Sequence, residues 1–267
     1  MLASIIIPTY KPQYWFDECL SSIARQTLSH DDFEVIIILN GDLSYKNYTV
    51  TTISKYRETL NIIFLETEFG NVSNARNMGF DIAKGEFILF IDSDDIISPN
   101  YLSSIIKVST STSIGVSFNE NFIKNIESSY KTDTIKKKER NMICNNNSFA
   151  INHYIFSNCC CKCISKHIIG KIRFNIGFEL GEDGIFMLAI SSRIKQLTIA
   201  NTDCIYYIRQ TENSLSRKKY PKLQILTFIV KRVTTIIHIY LLHSKFRNTK
   251  LFLRKILSTF NTINRVK

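Results

Sequence analysis

The chain has 267 residues, 45% hydrophobic and 21% charged, an ordinary globular composition that excludes a disordered or low-complexity protein. The formal charge of +11 is concentrated at one end: no acidic residue follows Glu212, residues 213–267 carry thirteen Lys and Arg, and the first 212 residues hold 21 basic against 23 acidic side chains. A near-neutral body with a cationic tail argues against a nucleic-acid-binding surface spread over the whole protein.

Residues 2–7, Leu-Ala-Ser-Ile-Ile-Ile, predict a buried strand stopped by Pro8. Phe16 to Gln26 predicts a helix, with Phe16, Cys19, Leu20 and Ile23 at helical spacing. Phe33 to Leu39 is a second strand, ended by the turn signal Asn40-Gly41-Asp42. Thr51 to Leu60 reads as a helix and Asn61 to Leu65 as a third strand. Ala75, Met78, Gly79, Ile82 and Ala83 share one helix face; Ser73 or Asn74 is placed to cap its start, and Gly85 to end it with φ > 0. Phe87 to Ile91 is a fourth strand. Residues 110–150 are polar and weakly patterned, predicting a loop-rich insertion, and 151–212 regain strand and helix character. Strand–helix alternation over the first 95 residues predicts an α/β fold with a mostly parallel sheet.

The fourth strand runs into Asp92, Asp94 and Asp95. Strand alternation would put Asp92 and Asp94 on one side, where like charges repel unless a cation intervenes. Mg²⁺ or Mn²⁺, which bridge carboxylates to substrate phosphates, fit that need; a solvated acidic turn is the alternative. Pro8-Thr9, Asn40–Asp42 and Asp92–Asp95 all fall at strand carboxyl ends, where open parallel sheets bind ligands. No P-loop or dinucleotide fingerprint is present. Four of the seven cysteines lie in Cys159–Cys163 without a second pair or His spaced to complete a zinc site, so structural thiols are expected. No charged leader precedes the first strand, and reduced thiols in a cytosolic protein are the expectation. No window of about 18 residues is both apolar and free of charge, which predicts no spanning helix.

The motifs Ser-Ile-Ile-Ile-Pro-Thr-Tyr, Phe-Glu-Val-Ile-Ile-Ile-Leu-Asn-Gly-Asp, Gly-Asn-Val-Ser-Asn-Ala-Arg-Asn-Met-Gly, Gly-Glu-Phe-Ile-Leu-Phe-Ile-Asp-Ser-Asp-Asp and Gly-Glu-Asp-Gly, in that order over about 1–210, resemble the family 2 glycosyltransferases of the GT-A fold. The resemblance implies a Rossmann-like, mostly parallel sheet flanked by helices, here with a basic helical C-terminal extension. It implies an inverting transferase using a UDP-sugar donor and Mn²⁺ or Mg²⁺. Asp92 and Asp94 match the family's DxD pair, with Asp94 as metal ligand, Asp92 toward the ribose and sugar, and Asp95 as support. Pro8, Thr9 and Asn40 match the nucleoside border, Asn40 standing where the family often has Asp. Arg76 matches a cation near the nucleotide; Tyr206–Arg209 and Ser214–Arg217 match the segment that closes over the diphosphate, with Arg209 as its donor-binding cation; Gln210 stands near where many members have a His. Asp183 matches the acceptor-side base, with Glu182 as the alternative. A bare helix N-terminus would also explain those two acids.

The resulting division is a nucleotide-sugar-binding half at 1–110, an acceptor-binding half at 111–216 and a basic amphipathic tail at 217–267. The tail sets apolar residues at helical spacing among Lys and Arg, a pattern suited to an anionic membrane surface. The expected acceptor is a polyprenyl-diphosphate-linked sugar at the inner face of the cytoplasmic membrane, as in O-antigen or capsule assembly, with glucose or galactose transferred and no nucleic acid bound. An inactive nucleotide-sugar binder and a basic nucleic-acid-binding protein are the rivals.

Overall fold

A computed structural model describes residues 1–128, 130–131, 144–145, 149, 153–210, 219–242 and 248–261. Its first half is a parallel sheet: β1 (Ala3–Thr9) lies between β2 (Phe33–Asn40) and β4 (Phe87–Phe90), and β3 (Ile62–Thr67) flanks β2. Every residue of β1, β2 and β4 is buried, as expected of parallel strands covered on both faces. β1 runs through Pro8 to Thr9 rather than stopping there. β4 pairs β1 only as far as Ile6, so the missing N–H of Pro8 falls where the sheet has already opened.

Helices α1 (Tyr14–Ala24), α2 (Lys46–Ser54) and α3 (Val72–Ile82) connect these strands. α2 starts earlier than its sequence predicts, because Asp42 caps a 3-10 turn at Leu43–Tyr45 that leads straight into it. Thr49 and Thr52 are buried there, their hydroxyls satisfied by the carbonyls one turn back. The cap of α3 is Asn71, whose Oδ1 accepts from the Asn74 N–H at 3.0 Å, rather than Ser73 or Asn74. Gly79 lets α3 approach the sheet: a Cβ there would stand 2.6 Å from Ile6. Gly85 does not adopt a positive φ. It is needed because a Cβ would lie 2.3 Å from the Ala3 carbonyl carbon, where the Gly85 N–H donates to the buried Ser4 hydroxyl.

β4 ends at Phe90, and β5 (Ile96–Ile97) and α4 (Tyr101–Lys107) follow. Residues 110–150 are not simply a loop: β6 (Ser113–Val116) and β7 (Phe118–Phe122) lie within them, then the short β8 (Tyr130–Lys131) and β9 (Cys144–Asn145). Their signal was weak because β6 is four residues long and β7, Phe-Asn-Glu-Asn-Phe, is only half-buried. β10 (Lys162–Ser165), α5 (Lys166–Ile169), α6 (Glu182–Ile190), β11 (Gln196–Ile199) and β12 (Ile205–Arg209) complete the body. β10 is antiparallel to both β4 and β6 and joins the halves into an eight-stranded sheet, β3-β2-β1-β4-β10-β6-β11-β9. A second sheet has the order β5-β12-β7-β8.

The tail forms α7 (Lys222–Leu242) and α8 (Thr249–Phe260), packed on the body. Contrary to the sequence expectation, α7 is long and apolar enough to cross a membrane by length and composition. Its two central charges are nevertheless engaged with the body. Lys231 Nζ donates to the Gly177 carbonyl and sits 5.2 Å from the Phe178 ring centre. Arg232 fills the space left by two glycines, a Cβ at Gly181 falling 2.4 Å and one at Gly184 2.8 Å from its guanidinium.

Candidate active site

β1, β2 and β4 are adjacent and parallel, so Thr9, Asn40 and Asp92 emerge at one edge of the sheet. Pro8 and Thr9 are buried, and the Thr9 hydroxyl turns back to the Ile7 carbonyl at 3.4 Å. Only the backbone of Thr9 is therefore placed to border a ligand. Asn40 Nδ2 donates to the Thr9 carbonyl at 3.1 Å, tying the tips of β1 and β2 together. Gly41, at φ +94°, follows; a Cβ there would strike Gly70 and the exposed ring of Tyr10, so this rim is built by two glycines face to face.

The three aspartates after β4 do not continue the strand. The Asp95 N–H bonds to the Asp92 carbonyl at 3.1 Å and closes a turn, so the turn and not strand alternation sets where Asp92 and Asp94 point. The turn is clamped from outside. The Tyr206 hydroxyl accepts the Asp92 N–H at 3.0 Å, and buried Asp95 accepts the Arg209 backbone N–H at 2.8 Å. The Arg209 guanidinium donates to the Asp94 carbonyl at 2.9 Å, pairs with Glu18 and lies 4.4 Å from the Phe122 ring centre. Arg209 is thus 4% exposed and braces the acidic turn from behind, a role its position in the sequence did not reveal. Glu18 lies in α1 without any motif of its own to mark it.

Burial, then the nearby Asp92, push the Asp94 carboxyl up to about 6. Burial, then Asp94 and Asp92, push Asp95 well above its ordinary range. No basic side chain among the described residues forms an ion pair with Asp94. Among those residues no three His, Cys, Asp or Glu side chains are grouped to cage a metal by themselves. The unpaired Asp94 carboxylate with the partly exposed Asp92 beside it fits Mg²⁺ or Mn²⁺ whose remaining ligands are water and substrate phosphate. Asp94 and Asp92 are the residues that would hold such an ion.

Arg76 joins this turn to the second acidic pair. It lies on α3 with its side chain 4% exposed. Nη2 reaches Asp92 Oδ1 at 3.1 Å, while Nη1 reaches Asp183 Oδ1 at 2.6 Å and Glu182 Oε1 at 3.4 Å. Arg76 thereby meets acids 16, 106 and 107 positions away in the sequence. The Phe174 ring centre lies 5.4 Å from it. Phe174 is itself fixed by Asn77, which both donates to its carbonyl and accepts from its N–H.

Glu182 and Asp183 open α6 after Gly181, which supplies the left-handed turn at φ +78°. Acids in a first helical turn are favoured by the helix dipole. Asp183 Oδ2 also accepts the Cys159 N–H at 3.3 Å, so both its oxygens are oriented. Burial, then Asp183, push Glu182 up to about 7, although Arg76 opposes the shift. Cys159, Cys160, Cys161 and Cys163 are all buried free thiols; β10 begins only at Lys162, and Cys161 turns the chain at φ +62°. The segment 214–217 lies outside the described residues. Gln210 Nε2 donates to Asn121 Oδ1 at 2.9 Å.

The model of the Glycosyl transferase family 2 matches residues 4–163, a span that includes every element of the donor-side edge. The Bacillus subtilis minor teichoic acid biosynthesis protein GgaB is 25% identical over 221 residues, covering 79% of this chain and 23% of its own length. The Staphylococcus aureus poly(ribitol-phosphate) beta-N-acetylglucosaminyltransferase TarS is 38% identical over 104 residues, 38% of this chain and 18% of that protein. The chain thus spans under a quarter of the length of these curated relatives. A crystal structure of TarS residues 1–349 with UDP-GlcNAc superposes with a TM-score of 0.76 at 19% identity, covering 97% of this chain and 72% of that one. The mannosyltransferase PcManGT of Pyrobaculum calidifontis, solved with GDP-Man and Mn²⁺, superposes with a TM-score of 0.62 at 11% identity over 98% and 72%. These two likenesses establish the GT-A fold. By the match over more than half its length, this chain belongs to the family 2 glycosyltransferases.

Proposed function

We propose that the protein transfers a hexosyl unit from a UDP-sugar to a glycan hydroxyl, with inversion, in polysaccharide synthesis. The observation that supports this most is the Arg76 bridge, which holds a donor-side carboxylate and an acceptor-side acid pair against one site. Asp183 acts as the base: it takes the acceptor hydroxyl's proton while that oxygen bonds to the anomeric carbon. The bond from that carbon to the diphosphate breaks, and its electrons leave on the diphosphate. Mn²⁺ or Mg²⁺ bound by Asp94 and Asp92 would supply positive charge to that leaving group. Thr9, Pro8 and Asn40 border the nucleoside, and Glu182, titrating near neutrality, orients the acceptor or serves as the alternative base.

In this assignment residues 1–110 bind the donor, 111–216 the acceptor, and 217–267 form the tail. The acceptor is a lipid-linked glycan of the kind used in O-antigen or capsule assembly, with glucose or galactose as the sugar. The names of GgaB and TarS favour a second acceptor class, a teichoic-acid-type polyol-phosphate polymer. The test is a panel of UDP-sugars offered with either acceptor class, with Mn²⁺ or with EDTA. Metal-dependent UDP release that needs an acceptor and vanishes in Asp183→Asn is the expected result. UDP-sugar binding without transfer to any acceptor would instead favour an inactive binder.

A further inference from the structure

The tail helices each have two apolar faces, and only one of them is used by the fold. In α7, Ile225, Ile229, Ile236 and Ile239 are buried against the protein. Leu223, Leu226, Val230, Ile237 and Leu241 are exposed, between 44% and 76%. Successive intervals of 3, 4, 7 and 4 residues set these five in one narrow stripe. α8 repeats the pattern. Leu251, Phe252, Lys255 and Thr259 face inward, while Leu253, Leu257 and Phe260 are more than half exposed. Lys250 and Arg254 are exposed and flank that outer stripe at helical spacing. A second apolar face explains why α7 is apolar enough to span a bilayer although Lys231 and Arg232, at its middle, hold it to the body. A helix fixed along one whole face cannot cross a bilayer without leaving the protein.

We propose that the outer faces of α7 and α8 form a docking surface for an anionic membrane, with both helices lying along the lipid interface rather than across it. Charge complementarity selects that occupant. The segment after Glu212 has thirteen basic residues and no acid; Lys231, Arg232 and Lys255 are turned to the body, but the net positive charge of the segment attracts lipid phosphates and repels a second copy of itself. The surface deepens the proposed function and rests on it only for its purpose, which is to bring the site to a lipid-borne acceptor.

The test is co-sedimentation of the full chain with vesicles of phosphatidylglycerol and phosphatidylcholine, against vesicles of phosphatidylcholine alone. Binding to the anionic vesicles is expected, weakened by salt and reduced at least tenfold in Leu226→Glu/Val230→Glu and in Leu257→Glu. Circular dichroism and UDP-sugar binding of the variants show whether the fold survives, and Lys250→Ala/Arg254→Ala, which leaves the apolar stripes intact, should lose the preference for anionic lipid. Equal partition to both vesicle types, unchanged binding of the glutamate variants, or self-association of the wild type that Leu226→Glu abolishes would each overturn the proposal. UDP release with a soluble acceptor is measured in parallel, so loss of turnover and loss of membrane docking are read separately.

Discussion

After β4, three aspartates crowd into one turn, and the guanidinium of Arg209 beside them bonds the Asp94 carbonyl and Glu18 rather than their carboxylates. At the start of α6, two acids lie just as close together but receive a guanidinium directly from Arg76. Among the described residues Asp92 alone of the three is ion-paired, to Arg76, and burial, then Asp92, push the Asp94 carboxyl up to about 6. The second has its geometry fixed by that contact, although burial, then Asp183, still push Glu182 up to about 7. Where a protein leaves a carboxylate unpaired at a sheet edge, positive charge can arrive with the ligand; where it supplies a cation of its own, the acids are held in place to act on a proton.

Asp183→Asn should have the largest effect on turnover, a loss of about 10²–10⁴-fold with UDP-sugar affinity little changed. Donor binding measured by calorimetry separates the two quantities, and a parallel fall in both would undo the assignment of Asp183 to the acceptor side. Arg76→Ala comes next, because it strips the shared cation from Asp92, Glu182 and Asp183. A stability loss of about 2–4 kcal/mol is expected, less than for a fully buried pair because Asp92 is 43% exposed. Denaturant unfolding reads it, and an unchanged midpoint would mean that Arg76 balances nothing.

Asp94→Asn is expected to act in the opposite sense on stability. A carboxyl whose folded pKa is raised stabilises the fold while protonated, and that contribution is lost as pH rises through about 6. The variant should therefore melt above wild type at pH near 8, and the gap should close near pH 4. Mn²⁺ should raise the wild-type midpoint at pH 8 and leave the variant's unchanged; equal shifts in both would place the ion elsewhere. Glu182, at about 7, adds a second loss of stability in the neutral range that Glu182→Gln removes. The smallest effect is reserved for Asn40→Ala, whose amide ties β2 to β1 at a single bond. UDP affinity should fall by severalfold with the fold intact, and no change in UDP-over-GDP preference would remove Asn40 from nucleoside selection.

Much of this architecture was legible in the residues. Four β-rich runs separated by helical periodicity predicted the parallel half to within a few residues, because both faces of those strands are buried and their apolar runs are unbroken. The acidic motifs stood out because like charges rarely crowd without a purpose. Less visible were β6 and β7, whose length and partial exposure give no period to read, and the true reason for Gly85, which is contact with β1 rather than its own dihedral. Arg209 was legible as a nearby cation but not as a brace.

Sequence by itself determined the fold class, the order of the motifs and the separation of a neutral body from a cationic tail, since these depend on local periodicity and composition. Tertiary structure alone decided which charges meet. Arg76 touches acids over a hundred positions away only because β10 turns antiparallel beside β4 and brings α6 to the parallel strands' carboxyl edge. It likewise decided which apolar face of α7 is covered, since the sequence spaces apolar residues along two faces without marking the one that packs.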